Sequence, residues 1–129
     1  MKNLMISLVL VISSFATAQT EVATLKSTMQ AMSTSLKAIA AQSTDKTKNA
    51  SSEKLTLDLI KSVTVAQTLL PSSATDKARK DLYAKMIGQV LTSSKQLAQA
   101  FHSNDNTKAA AILVTLTQEK KDGHSSFRQ

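Results

Sequence analysis

The chain contains no cysteine and no tryptophan, one proline (Pro71), two glycines (Gly88 and Gly123), one tyrosine and three phenylalanines. Without cysteine there can be no disulfide, no thiolate metal site, no iron–sulfur cluster and no C-x-x-C-H attachment of a covalent haem. Any haem would have to be held non-covalently, and the domain must be held by its core alone or by a ligand. So few glycines and prolines leave long stretches free of helix breakers and argue against a turn-rich β fold. Catalytic motifs are missing too. There is no glycine-rich phosphate loop, no H-E-x-x-H, no Glu-x-x-His pair for a di-iron bundle and no Ser/His/Asp neighbourhood, so an enzyme is not expected.

The one long apolar run, Leu4 to Phe15, lies at the start of the chain, after Lys2 and before Ala16-Thr17-Ala18. A short positive start, an apolar stretch too short to span a bilayer and a small-x-small ending are the parts of a cleavable export signal. Residues 1–18 are therefore read as a signal peptide cleaved near Ala18 and Gln19, and residues 19–129 as one exported domain with one core. No later segment is apolar enough to span a membrane. The formal net charge is +7, of which Lys2 supplies one unit within the signal. In an exported protein a basic surface rarely meets nucleic acid. The expected consequence is attraction to acidic proteins or anionic membrane surfaces, or simply a solvated face that keeps the protein soluble.

The remaining sequence is helical by period. Val22, Leu25, Met29, Met32, Leu36 and Ile39 follow one another at spacings of 3, 4, 3, 4 and 3, which predicts a first helix from about Thr20 to Gln42. The polar segment Ser43–Ser52 is where the chain turns or the next helix begins. Leu55, Leu59, Val63, Ala66 and Leu70 mark a second helix. Its Leu55-Thr-Leu-Asp-Leu59 and Val63-Thr-Val65 also alternate like a strand, but a lone strand would have no partner. Pro71–Thr75 closes that helix, with Thr75 placed as N-cap of the third, which carries Leu82, Met86, Val90, Leu97 and Phe101. After a turn at Ser103–Asn106, a fourth helix from Thr107 sets Ala109, Leu113, Leu116, Lys120, His124 and Phe127 on one stripe. The expected fold class is all-α, an up-down-up-down antiparallel four-helix bundle.

In such a bundle the start of helix one and the end of helix four lie at the same end, so Met29 and His124 can face each other across the interior. A thioether opposite an imidazole is the axial pair of a six-coordinate electron-transfer haem. Taken alone, a methionine on a helix seam is more often core filler, and a histidine near a C-terminus is more often solvated.

Three segments carry a resemblance. Met29-Gln-Ala-Met-Ser-Thr-Ser-Leu-Lys-Ala-Ile39 resembles the first helix of soluble cytochrome b562, in which the axial methionine precedes a Leu-Lys-x-Ile by the same seven residues. Leu116-Thr-Gln-Glu-Lys-Lys-Asp-Gly-His124-Ser-Ser-Phe-Arg128 resembles that family's last helix, where an aromatic residue and an arginine follow the axial histidine at +3 and +4. Ile87-Gly-Gln-Val90 is similar to the Val-Gly-Gln-Ile of its third helix. The resemblance implies one non-covalent haem b per chain, with Met29 and His124 as iron ligands. It also implies that Lys120 takes the place of an arginine beside the haem, that Tyr83 sits near the haem face, and that Arg128 is the basic residue of the tail. It further implies a periplasmic, monomeric electron-transfer protein whose partners are other redox proteins, acidic ones among them.

Two features test that reading. Gly123 stands where the family has tyrosine, and Asp122-Gly123 could end the helix early and turn His124 from the core. Met32, on the same seam as Met29 but one step deeper, is a competing ligand. His102 belongs to the far end of helix three and is not expected at the same iron. Asn49-Ala-Ser51 matches a glycosylation sequon, read as chance. The alternative function is a cofactor-free helical envelope protein, chaperone-like or an interaction module. It rests on Val114-Thr-Leu-Thr-Gln118, which is similar to the L-T-x-x-Q motif of small periplasmic stress chaperones.

Overall fold

The computed structural model describes residues 24–127; the proposed signal, residues 1–18, and Arg128 lie outside the described residues. Four α-helices follow one another, α1 (Leu25–Gln42), α2 (Asn49–Ala66), α3 (Lys77–His102) and α4 (Asn106–Ser126), with a 3₁₀ turn at Lys46–Lys48 leading into α2. There is no strand among the described residues. Close packing runs between consecutive helices, α1 with α2, α2 with α3 and α3 with α4, whereas α1 and α4 approach each other less closely. The arrangement is the four-helix bundle expected from the periodicity.

The helix ends follow side-chain chemistry at particular residues. Helix α1 begins at Leu25, where Thr24 closes a capping box; Thr20 and Val22 of the expected first helix lie outside the described residues. The Thr24 Oγ1 accepts from the Ser27 amide at 3.1 Å, and the Thr24 amide donates to Ser27 Oγ at 3.1 Å. The N-cap of α3 is Asp76 and not Thr75. A carboxylate satisfies the orphan Arg79 amide at 2.8 Å and also favours the positive end of the helix dipole. The second helix begins within the polar segment, at Asn49, and stops at Ala66. Leu70 therefore lies beyond it, 54% exposed, just before Pro71, which disfavours helical backbone at the residue it follows.

The strand-like alternation of α2 resolves as a helix whose inner face mixes sizes and polarities. Leu59, Val63 and Ala66 are fully buried while Leu57 and Val65 are exposed. Thr56 is buried as well, its hydroxyl donating to the Ser52 carbonyl at 2.7 Å. In α3 the inward stripe begins at Tyr83, not at Leu82, which is 40% exposed. The inward stripe runs Tyr83, Ile87, Val90, Ser94, Leu97 and Phe101, at spacings of 4, 3, 4, 3 and 4 that keep pace with a 3.6-residue turn, and Met86 sits half-buried at its edge. Ile39, Leu97, Phe101 and Ala109 make the core toward the α1–α2 and α3–α4 turns, Leu59 and Leu116 its middle, and Val63 lies toward the α2–α3 connection.

At that closed end the turns are tied by amides. Asn49 Nδ2 donates to Asn104 Oδ1 (3.0 Å) and Asn106 Oδ1 (2.9 Å), and Asn106 Nδ2 donates to the Ser43 carbonyl (2.7 Å) and Asn49 Oδ1 (2.9 Å). Asn104, with φ of 55°, takes the left-handed conformation that asparagine tolerates better than most residues. Asn49 is 4% exposed, so the sequon's acceptor amide is committed to the fold. His102 lies at this end too, on the surface, its Nδ1 3.1 Å from Glu53 Oε1.

Candidate functional site

At the opposite end, where α1 and α4 part, the bundle opens into a cleft of about 800 Å³. That volume falls in the range of sites that enclose most of a small organic ligand. Met29 of α1, Tyr83 of α3, and Lys120 and His124 of α4 all line it. Four of the five residues singled out in the sequence thus share one lining, while Arg128 lies outside the described residues.

Their local settings differ. Met29 is half-buried on the α1 seam, one turn from the helix start, and packs against the core from the edge. His124 is exposed, in the last turn of α4. Helix α4 does not end at Asp122-Gly123 but continues through it to Ser126. Gly123 also lines the cleft, and a Cβ there would meet nothing within 4 Å, so glycine leaves this wall open beside His124. Lys120 reaches across the gap between α1 and α4, its Nζ donating to Ser33 Oγ at 2.8 Å. Tyr83 is 5% exposed and donates its hydroxyl to the Ala66 carbonyl at 2.6 Å. Burial pushes its phenol above the ordinary value of 10.0.

Met32 takes a different place from Met29. It is 8% exposed, belongs to the core and does not line the large cleft. It borders instead a void of about 40 Å³ shared with Met29, Leu36, Leu116 and His124. Of the chaperone-like segment, Leu116 is 1% exposed in the core and Val114 is 71% exposed on the outer face.

The sequence reading did not assign Lys26, Pro71, Met86 or Glu119 to the site, yet all four line the cleft. Met86 sat on a predicted core stripe and could have been suspected. Pro71 could not, because a loop residue folded over the end of a bundle leaves no periodic signal. Glu119 is held by Ser93, whose hydroxyl donates to Oε1 at 2.8 Å, while Oε2 is buried without a partner.

The donor set has a definite character. Leu25, Ile87, Val90 and Phe127 supply apolar walls, Lys26 and Lys120 supply cations, and one thioether and one imidazole are the metal-binding side chains of α1 and α4. No group of three or more His, Cys, Asp or Glu side chains that could hold a bare metal ion occurs among the described residues. Apolar walls with an imidazole from α4 and thioethers from α1 (Met29) and α3 (Met86) suit a metal carried in an apolar macrocycle, and the lysines suit its carboxylates. No helix among the described residues is long and apolar enough to cross a membrane.

A protein-family model described as cytochrome b562 matches residues 24–128. Comparison with the curated proteins and with the solved structures finds no match. With the match running from the N-cap of α1 past the end of α4, the chain belongs to the cytochrome b562 family of haem-binding electron-transfer proteins.

Proposed function

We propose that this protein is a periplasmic, monomeric electron carrier that holds one non-covalent haem b with Met29 and His124 as axial ligands. The observation that carries the reading is the cleft at the open end of the bundle, whose lining contains both side chains, one from each of the two helices that part there. When bound, haem b supplies a one-electron iron couple. Met29 contributes a thioether, which favours the ferrous state and sets a higher potential than a second imidazole would. His124 contributes the stronger donor from the last turn of α4. Met29 and His124 would both hold the iron, so the chemistry the group would supply is electron transfer, and this chain's other lining residues would orient it and give it one dry face. Tyr83, Ile87 and Phe127 provide that dry face. Lys120 and Lys26 offer cations to carboxylates, and Arg128 adds a further positive charge at the tail. The basic surface favours acidic redox proteins as partners, and the leader at residues 1–18 delivers the chain to the compartment in which they meet.

Haem titration of the purified mature chain tests the reading. The expected result is a Soret band saturating at one haem per chain, with a low-spin spectrum in both oxidation states and complete extraction by acidified acetone. A chain that develops no Soret band would refute the proposal and favour the cofactor-free envelope protein.

A further inference from the structure

Helix α4 is weakly built where it matters most. Its last turn contains Gly123, Ser125 and Ser126, poor helix formers. Helix α1, across the cleft, approaches α4 too loosely to hold this turn. The turn is nevertheless closed, with the Phe127 amide donating to the Gly123 carbonyl at 2.9 Å.

The holding group comes from α3. Arg79 sits in the first turn of α3, its amide fixed by the Asp76 cap at 2.8 Å. Its guanidinium bridges two backbone carbonyls from different parts of the chain. Nη2 donates to Ser126 at 2.5 Å and Nε donates to Ser73 at 2.8 Å. The same guanidinium lies over the Phe127 ring, 4.9 Å from its centroid. That ring meets Tyr83 edge to face, with centroids 5.6 Å apart and planes at 85°. Tyr83 in turn is anchored to the end of α2 through Ala66. One planar fork thus ties the end of α4 to the α2–α3 connection and to α3 itself. Lysine offers a single point charge and could not span both carbonyls while stacking on a ring.

We infer that Arg79 is a positioning residue of the site, holding the last turn of α4 so that His124 stays on the cleft lining. The inference rests on the haem reading proposed above. Arg79 need touch no ligand; it acts through Ser126 and Phe127 on the turn that contains His124.

The test uses the full mature chain and three variants, Arg79→Ala, Arg79→Lys and, as a destabilised control at the far end of the bundle, Asn49→Ala. Hydrogen exchange of the Phe127 amide is measured without haem, and the ferric spectrum and haem affinity with it. Both Arg79 variants should speed Phe127 exchange, convert part of the haem to a high-spin form and weaken binding by roughly 10- to 100-fold, as loss of a group that orients a metal ligand does. Added imidazole should restore the low-spin spectrum of Arg79→Ala. Asn49→Ala should change neither the Phe127 exchange nor the spin state. A wild-type low-spin spectrum in Arg79→Ala overturns the inference whatever the exchange does. So does full rescue by lysine, or an equal spectral change in Asn49→Ala. A wild-type chain that shows no Soret band fails at an earlier step, refuting the haem reading and the inference with it.

Discussion

Two methionines three residues apart on one seam should separate cleanly by what each is for. Met32 is 8% exposed within the core and Met29 is half-buried on the cleft lining. Truncating a buried methionine to alanine costs about 2–5 kcal/mol. Met32 borders a void of about 40 Å³ that already leaves part of its surface without contacts, so the lower part of that range applies. Met32→Ala should therefore lose about 2–3 kcal/mol in a urea melt of the haem-free chain. In a domain of this size that lowers the melting temperature by roughly 8–20 °C. Its ferric and ferrous spectra, recorded below the transition, should remain low-spin. Met29→Ala has less packing to lose, about 1 kcal/mol or less without haem, since the side chain already faces open volume. Its spectrum should shift to a largely five-coordinate haem that accepts exogenous ligands. The two variants are predicted to move opposite observables. If Met32→Ala abolished the low-spin spectrum while Met29→Ala retained it, the ligand would lie one step deeper on α1 and the assignment of the cleft would be wrong.

Three further outcomes follow from other parts of the fold. Tyr83→Phe removes the buried donor to Ala66 and should cost about 1–2 kcal/mol. Because burial raises the Tyr83 phenol above 10.0, the folded chain keeps a proton that the unfolded chain releases. That stabilisation is complete below about pH 10 and is lost as pH rises through the folded value, so the alkaline fall in stability should be shallower in Tyr83→Phe. Asn49→Ala should cost about 1–3 kcal/mol by stranding the amide groups of Asn104 and Asn106, with no change in haem affinity; a loss of affinity would mean that the two ends of the bundle are coupled. Haem at a thousandfold excess over its dissociation constant should stabilise the chain by ~4 kcal/mol. Equal calorimetric melting temperatures with and without haem would place the binding site outside the folded core.

Much of the architecture is written in local pattern. The seam from Leu25 to Ile39 and the stripe from Ala109 to Leu116 face the core because a 3.6-residue period cannot bury them any other way. The scarcity of glycine and proline left helices as the only economical use of the chain. The spacing of Met29 and His124 on the outer helices, together with the segments that resemble cytochrome b562, was enough to name the two side chains that meet on one lining. What local pattern could not supply was the choice between near-equivalent neighbours. Thr75 and Asp76 are both good caps, and the Arg79 amide selected the carboxylate. Leu82 and Tyr83 are both apolar, and only the angle of α3 against α2 decided that Tyr83 turns inward to reach Ala66. Met29 and Met32 share a seam, and only the parting of α1 from α4 left one beside open volume and the other in the core. The continuation of α4 through Gly123 lies beyond any propensity, since glycine there opposes the helix. Arg79 reaches the end of that helix, at Ser126, from 47 residues earlier in the chain. Composition and period determine which faces must be buried, because that is a property of each helix alone. Which residue fills a given place at a helix end or a cleft wall depends on partners brought close only when the helices pack.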